Sequence, residues 1–310
     1  MVDIPDAVFR ATLPRSTLRN TYGITDHELR GPLWRSPLYG RHYFATNDAN
    51  GPTRRILNAI SVLPPDGVIG GWAAAHLHGV TELDGRSWSG ALEPVFIALP
   101  YHRRIRRNGI DTVRAPLSPE DITVTKHVRV TTPVRTCFDL IRRRSLEDAV
   151  VAVDAMLRQG VVTRDEVRDY VATRAGWKGV LTARAALRLA DGRSASGPES
   201  RLRFAWVVDA GLPPPEVNQQ VYDPVYRFVG IPDLLDKEVG LVGEYDGAQH
   251  RELGHHTADN AREERLEALG LTVVRATSID LKAGRPHLVR RLRDAYRRAS
   301  ERGGPRRWRL

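Results

Sequence analysis

The sequence holds a single cysteine, Cys137. That excludes an internal disulfide and every cysteine-rich zinc motif, since both need more than one thiol. No apolar run approaches the roughly 20 residues that cross a bilayer as a helix. The first residues, MVDIPDAVFR, lack a basic start followed by an apolar stretch, so no signal peptide is expected. The segment GRSASG at 192–197 lacks the lysine of a phosphate-binding loop and follows no strand. No internal repeat is present. These absences predict a soluble, cytoplasmic protein with no membrane partner. Its 310 residues exceed one ordinary core and suit two or three domains.

Acid is the scarcer charge, with 37 Asp and Glu against 47 Lys and Arg, a net of +10. Most of the excess is local. Residues 285–310 carry ten arginines and two acids, Asp294 and Glu301. Smaller clusters are Arg103, Arg104, Arg106 and Arg107, and Arg142 to Arg144. Genome composition alone can enrich arginine, but clustering is what phosphate binding needs, because neighbouring phosphates release their counterions together. A polyanion, nucleic acid first, is therefore the expected partner.

Pattern signals predict an α+β chain in three parts. Residues 1–92 combine a capping box at Thr25–Glu28, two strands around Gly40 and helices at 53–63 and 71–80, which together suggest a small winged-helix-like module. Residues 93–192 run from strands to helices, with Ser145 and Thr163 as caps and Gly160 as a stop. The loop-like DGRSASGP leads into the last part, 193–310. There a helix at 198–210 precedes strands at 217–223, 225–235 and 239–246. A helix at 258–269, a strand at 271–276 and a basic helix at 285–302 follow. That αβββαβα order implies antiparallel strands and one right-handed crossover.

Three acids of this last part are expected to gather at one site. Glu244 and Asp246 alternate in LVGEYDG and share one face, while Tyr245 points away. A short connection pairs this strand with YRFVGIPDLL, so Asp233 lies opposite or diagonal to Glu244. Clustered carboxylates repel unless a cation compensates. Mg²⁺, or Mn²⁺ in its place, suits oxygen ligands from carboxylates, water and phosphate, and can activate water against a phosphodiester. Taken singly, such acids are often solvated turn residues. Gly243 and Gly247 flank them, Gln249 and His250 follow, and Asp259 and Arg262 open the next helix, whose N-terminus favours an anion. Glu199 has two readings. It shares a helical face with Leu202 and Trp206, and it completes a capping box with Ser196 while standing four residues before Arg203. On the last helix, Leu288, Leu292, Tyr296 and Ala299 form the apolar face, leaving Arg290, Arg293 and Arg297 to meet a nucleic-acid backbone. Cys137 reads as a core residue.

The blocks PESRLRFAWVVDAGLPPPEVNQQV, GIPDLLD with LVGEYDGAQH, and ADNAREERLEALGLTVVRAT span about residues 196–281. They resemble a bacterial domain family grouped with very-short-patch-repair endonucleases in the PD-(D/E)XK superfamily. The resemblance implies a restriction-endonuclease-like αβββαβ mixed sheet, with Glu199, Asp233, Glu244 and Asp246 at the site positions and His250 beside them. Upstream, LRGPLWRSPLYGRHYFA, GWAAAHLHGVTELDG and VRVTTPVRTCFDL resemble proteins with an AbiEi-type antitoxin winged-helix region, which implies DNA binding. One departure stands out: the superfamily has lysine two residues after the Glu, and this chain has Asp246. Very-short-patch-repair enzymes also lack that lysine and rely on histidine, which assigns His250 as general base. The expected function is a Mg²⁺-dependent DNA endonuclease or nicking enzyme. The alternatives are a catalytically inactive, antitoxin-like DNA-binding regulator, and a module that binds a partner protein of a toxin–antitoxin or defence system.

Overall fold

Thr25 caps a helix in the computed structural model, which describes residues 11–45, 50–99, 107–114, 117–247, 264–282, 284–302 and 306–310. The Thr25 side chain accepts the Glu28 N–H and the Glu28 carboxylate returns to the Thr25 N–H, so the capping box is complete. The chain is α+β and divides into two compact units, Met1–Leu140 and Ile141–Leu310. Among the described residues no helix is long and apolar enough to cross a membrane.

The first unit begins with β1 (Leu13–Pro14), α1 (Arg15–Tyr22), α2 (Asp26–Leu29), β2 (Trp34–Leu38) and β3 (Arg41–Phe44). Its three strands pair antiparallel in the order β1-β3-β2, and Leu18, Ile24, Leu29 and Trp34 fill the small core. Next come α3 (Pro52–Ile60), β4 (Val68–Gly70), α4 (Gly71–Leu77), β5 (Val95–Leu99), β6 (Ile110–Arg114), β7 (Ile122–Thr125) and β8 (Val128–Thr131). These strands form a sheet of order β6-β5-β4-β8-β7. Strand β4 pairs with both β5 and β8, so the ladder crosses the boundary expected at 92/93. Helix α5 (Pro133–Arg142) follows, with Cys137 buried on it.

The second unit contains α6 (Leu146–Arg158), α7 (Arg164–Ala172), α8 (Val180–Leu189) and α9 (Gly197–Phe204). Helix α9 continues as a π-helical turn, Ala205–Asp209. Then come β9 (Glu216–Val217), β10 (Val221–Tyr222), β11 (Phe228–Gly230), β12 (Leu234–Asp236), β13 (Leu241–Asp246), β14 (Thr272–Thr277) and α10 (Pro286–Glu301). The main sheet has the order β14-β13-β12-β9, parallel between β13 and β14 and antiparallel elsewhere. The boundary expected at 192/193 is also crossed. Arg203 on α9 meets the buried Asp154 of α6 at 2.5 Å, and Arg201 meets Asp148 at 2.5 Å and Glu147 at 3.2 Å. Burial pushes the Asp154 carboxyl up while Arg203 pulls it down. Such a pair must stay together, since either charge alone in a core is costly.

The strand expected over 225–235 is two strands. Pro232 lacks an N–H, and the chain turns there. β11 then pairs with β10 in a separate hairpin, while β12 joins the main sheet.

Both faces of the main sheet are covered. Leu234, Leu241, Val274 and Ala276 pack with Leu202 and Trp206 of α9 and with Leu288 and Leu292 of α10. Leu235 and Val242 pack with Val221, Val229, Leu266, Leu271 and Trp308. Gly243 sets the spacing on the first side: a β-carbon there would stand 3.1 Å from the Trp206 ring. The Trp206 indole N–H donates to the Pro213 carbonyl at 2.9 Å, which holds the ring in place.

Gly243→Val should therefore lower stability by about 1–3 kcal/mol through overpacking, seen as a lower urea midpoint at an unchanged slope. Burial pushes the Cys137 thiol up to about 12. At pH 8 the native protein should show no titre with a thiol reagent, and one thiol per chain after unfolding in guanidinium.

Candidate active site

Leu234 pairs with Gly243, Leu235 with Val242 and Asp236 with Leu241. One step further along this antiparallel register sets Asp233 opposite Glu244. Alternation then decides the faces. Leu234, Leu241 and Tyr245 belong to the Trp206 side, while Leu235 and Val242 belong to the other. Glu244 and Asp246 consequently share the Leu235 and Val242 side, and Asp233 lies in the bend just before β12. The Asp233 carboxylate is fixed by the strand it faces, with Oδ2 accepting the Tyr245 N–H at 2.7 Å. Glu244 is only 5 % exposed, and Asp246 is half-buried. Asp246 and burial together push the Tyr245 phenol up, burial being the larger cause.

A carboxylate as buried as Glu244 needs compensation. Strand β14 brings a cation beside it: the parallel register places Arg275 next to Glu244 and Thr277 next to Asp246. Adjacent strands lie about 4.8 Å apart, and residues in register share a face. Arg275 escaped the reading from sequence. Its period-two relation to Val273 and Thr277 is visible in LTVVRAT, but nothing local announces which strand it pairs with.

Asn218 was also missed. It follows β9 at φ 49°, a left-handed conformation that asparagine tolerates better than most residues. Its N–H donates to the Asp233 carbonyl at 3.1 Å, and its side-chain amide donates to Glu199 Oε2 at 3.0 Å and to the Arg193 carbonyl at 2.7 Å. Asn218 thus ties the start of α9 to the strand that carries Asp233.

Glu199 is held at the start of α9. Its Oε2 accepts the Ala195 N–H at 2.6 Å and its Oε1 accepts the Ser196 hydroxyl at 2.9 Å. Ser196 caps α9 by accepting the Glu199 N–H, but the Glu199 carboxylate returns to the Ala195 N–H rather than to the Ser196 N–H of a full capping box, and Asn218 links it to the acidic strand. The Arg203 guanidinium reaches Asp154, Ser194 and the Leu189 carbonyl. That replaces the expected pair with Glu199: Asp154 is buried and draws the cation inward.

His250 and Arg262 lie outside the described residues, as do Gln249 and Asp259. On α10, Arg290 is exposed. Arg297 pairs with Asp294 at 3.0 Å on the exposed side. Arg293 differs from expectation. Its guanidinium donates to the carbonyls of Asp209 and Ala210, both at 3.0 Å, and so closes the end of the π-helical turn. The last-turn carbonyls of a helix need donors, and Arg293 supplies them.

The donor set is chemically uniform. Asp233, Glu244 and Asp246 offer only carboxylate oxygens, which match a hard divalent cation such as Mg²⁺. Among the described residues no three Asp, Glu, His or Cys side chains are grouped so as to hold an ion by themselves. Mg²⁺ commonly binds through one or two carboxylates and keeps several waters, so the residues present fit it in that manner.

The chain is similar to two uncharacterized proteins of Mycobacterium tuberculosis, MT2308 and Rv2248, from two strains. Each is 29% identical over 163 residues, which is 52% of this chain and 59% of the relative. The chain thus spans about three-fifths of the length of the curated relatives it matches. No family model and no solved structure matches the chain.

Asn218→Gly keeps the left-handed backbone permissible and deletes only the side-chain bonds. It should cost about 1 kcal/mol of stability, read from a denaturant titration. No change in the midpoint would show that the bridge from Glu199 contributes nothing.

Proposed function

We propose that the chain is a Mg²⁺-dependent DNA endonuclease or nicking enzyme. The observation that carries this reading is the register of β12 on β13. It brings Asp233, just before β12, close enough to β13 for its carboxylate to accept the Tyr245 N–H, while Glu244 and Asp246 share one face of β13 with Arg275 alongside. Asp233 and Glu244 hold the cation, and Asp246 joins directly or through a water. When bound, Mg²⁺ would supply a more acidic water and neutralise charge on the phosphodiester. His250 takes the proton from the attacking water, and Glu199 orients the site from the start of α9. Arg262, Arg290 and Arg297 are the cations assigned to the phosphates of the backbone. The resemblance to very-short-patch-repair endonucleases supports the same assignment, and the winged-helix-like resemblance upstream supplies DNA contacts.

A second reading keeps the fold and drops the chemistry. Asp246 stands where the superfamily has lysine, and an acid there adds repulsion that a lysine would remove. On that reading the protein is an antitoxin-like DNA-binding regulator. A toxin–antitoxin or defence partner protein is the corresponding alternative for the basic surface.

Supercoiled plasmid, linear duplex and single-stranded DNA, each with Mg²⁺ and with Mn²⁺, separate these readings. The endonuclease reading expects nicking or cleavage that falls at least about a hundredfold in Asp233→Ala and Glu244→Ala. Wild-type protein that cuts none of these substrates with either metal, yet binds duplex DNA in a chelator, establishes the regulator instead.

A further inference from the structure

The hairpin formed by β10 and β11 carries an exposed apolar end. All five residues Pro224–Phe228 are exposed, and three of them are large and apolar: Val225 at 65 %, Tyr226 at 66 % and Phe228 at 54 %. Contiguous apolar surface of this kind marks a contact site more often than isolated exposed residues do. The rest of the hairpin is well anchored. Val221 and Val229 are buried against Leu235 and Val242 of the main sheet.

The backbone at this end is unusual. The Tyr226 N–H donates to the Asp223 carbonyl and the Asp223 N–H to the Arg227 carbonyl, closing a tight loop. Tyr226 sits in it at φ 61°. Glycine or asparagine adopts that conformation at low cost, and a bulky aromatic does not. A ring kept where glycine would be easier is the kind of local strain found at functional positions.

The surroundings are cationic. The end of the chain pairs with β10 through reciprocal Tyr222 and Arg309 backbone hydrogen bonds, both 2.9 Å. Trp308 is buried and fixes this segment. Arg309 lies over the Tyr226 ring at 4.5 Å and donates to its hydroxyl at 2.6 Å. Arg227, Arg306, Arg307 and Arg309 are all exposed. Glu238 lies near Arg306, while Asp223, the acid of the hairpin itself, is turned into the loop, where its Oδ1 accepts the Val225 and Arg227 N–H groups. Exposed rings among cations match a polyanion that also presents flat apolar faces. Unpaired nucleobases have such faces, whereas a duplex hides them by stacking.

From these observations we infer that the end of the β10–β11 hairpin, with the C-terminal segment paired to it, is a stacking platform for unpaired bases of a nucleic-acid strand. Tyr226 and Phe228 provide the rings, while Arg227 and Arg309 meet the phosphates. This rests on the nucleic-acid reading above and adds the class of strand. Phe228 stands five residues before Asp233, so the platform lies within roughly 17 Å of that acid along the chain at about 3.3 Å per residue.

The test uses the full chain in a chelator, so that cutting plays no part. Fluorescence anisotropy would compare a labelled 15-nucleotide oligo-dT with a duplex of equal length. Wild-type protein is expected to bind the single strand, and Phe228→Ala to weaken it about tenfold with less than a threefold change for the duplex. Tyr226→Gly should weaken the single strand similarly while its Tm holds or rises, since glycine relieves the loop. That result cannot be confused with failed folding. Tyr226→Trp should retain binding and show emission quenched by the oligonucleotide beyond that of the wild type. Single-strand affinity unmoved in Tyr226→Gly and Phe228→Ala overturns the platform, and if Asp233→Ala still abolishes cleavage the nuclease reading survives it. Weakened binding in those variants with no cleavage by the wild type leaves the platform standing and removes the nuclease. Self-association that the same variants abolish, with oligo-dT affinity unchanged, assigns the surface to a second copy of this chain and overturns the proposal.

Discussion

The pairing of a three-residue strand, β12, with the first half of β13 governs the main sheet of the second unit. A slip of one residue would move every side chain to the opposite face. Asp233 would then lose the Tyr245 N–H, and Leu234 would leave the core it shares with Trp206. Two features hold the register. Leu234 and Leu235 are both fully buried, one on each side of the sheet. Gly243 admits the Trp206 ring at a spacing where a β-carbon would stand 3.1 Å from it, close enough to make the ring shift. The acidic face is therefore a by-product of apolar packing: the cores on the two sides fix the strands, and the strands fix the acids.

Local signals were legible in the sequence. The caps at Thr25, Ser145 and Thr163 each close with the expected donor and acceptor, because a cap involves residues three apart and needs nothing from elsewhere. The shared face of Glu244 and Asp246 follows from alternation alone. What was not legible depends on distant partners. Pro232 marked a break, yet only the assembled sheet shows β11 and β12 turning to different neighbours. Arg203 was read against Glu199, four residues away, and its partner is Asp154, separated by 49 residues. Arg275 and Asn218 carry no motif and gain meaning from the strands beside them. The boundary at 192/193 looked like a linker by composition and the one at 92/93 followed a change of pattern, but neither signal reveals a ladder or a buried ion pair that crosses it.

The arginine excess also divides once partners are known. Arg135 lies in the first unit between Asp121 and Asp139, both at 2.8 Å, with no exposure. Arg203 and Arg285 are buried on acids of the second unit. Arg293 closes a helix end. Net charge counts these equally with Arg290 or Arg309, although only exposed cations reach a phosphate. Each buried arginine takes its partner acids out of the count with it, so what changes is which cations can reach a phosphate; Arg290 and Arg297 on α10 and Arg306, Arg307 and Arg309 in the C-terminal segment are among those that can.

Whether the three acids act together on a divalent ion is best decided by titrating Mn²⁺ into the full chain by calorimetry, beside a Glu244→Gln variant of matched fold. The account requires an ion bound by the wild type and a loss of affinity of about tenfold or more in the variant. Equal binding in both proteins, or none in either, would contradict it.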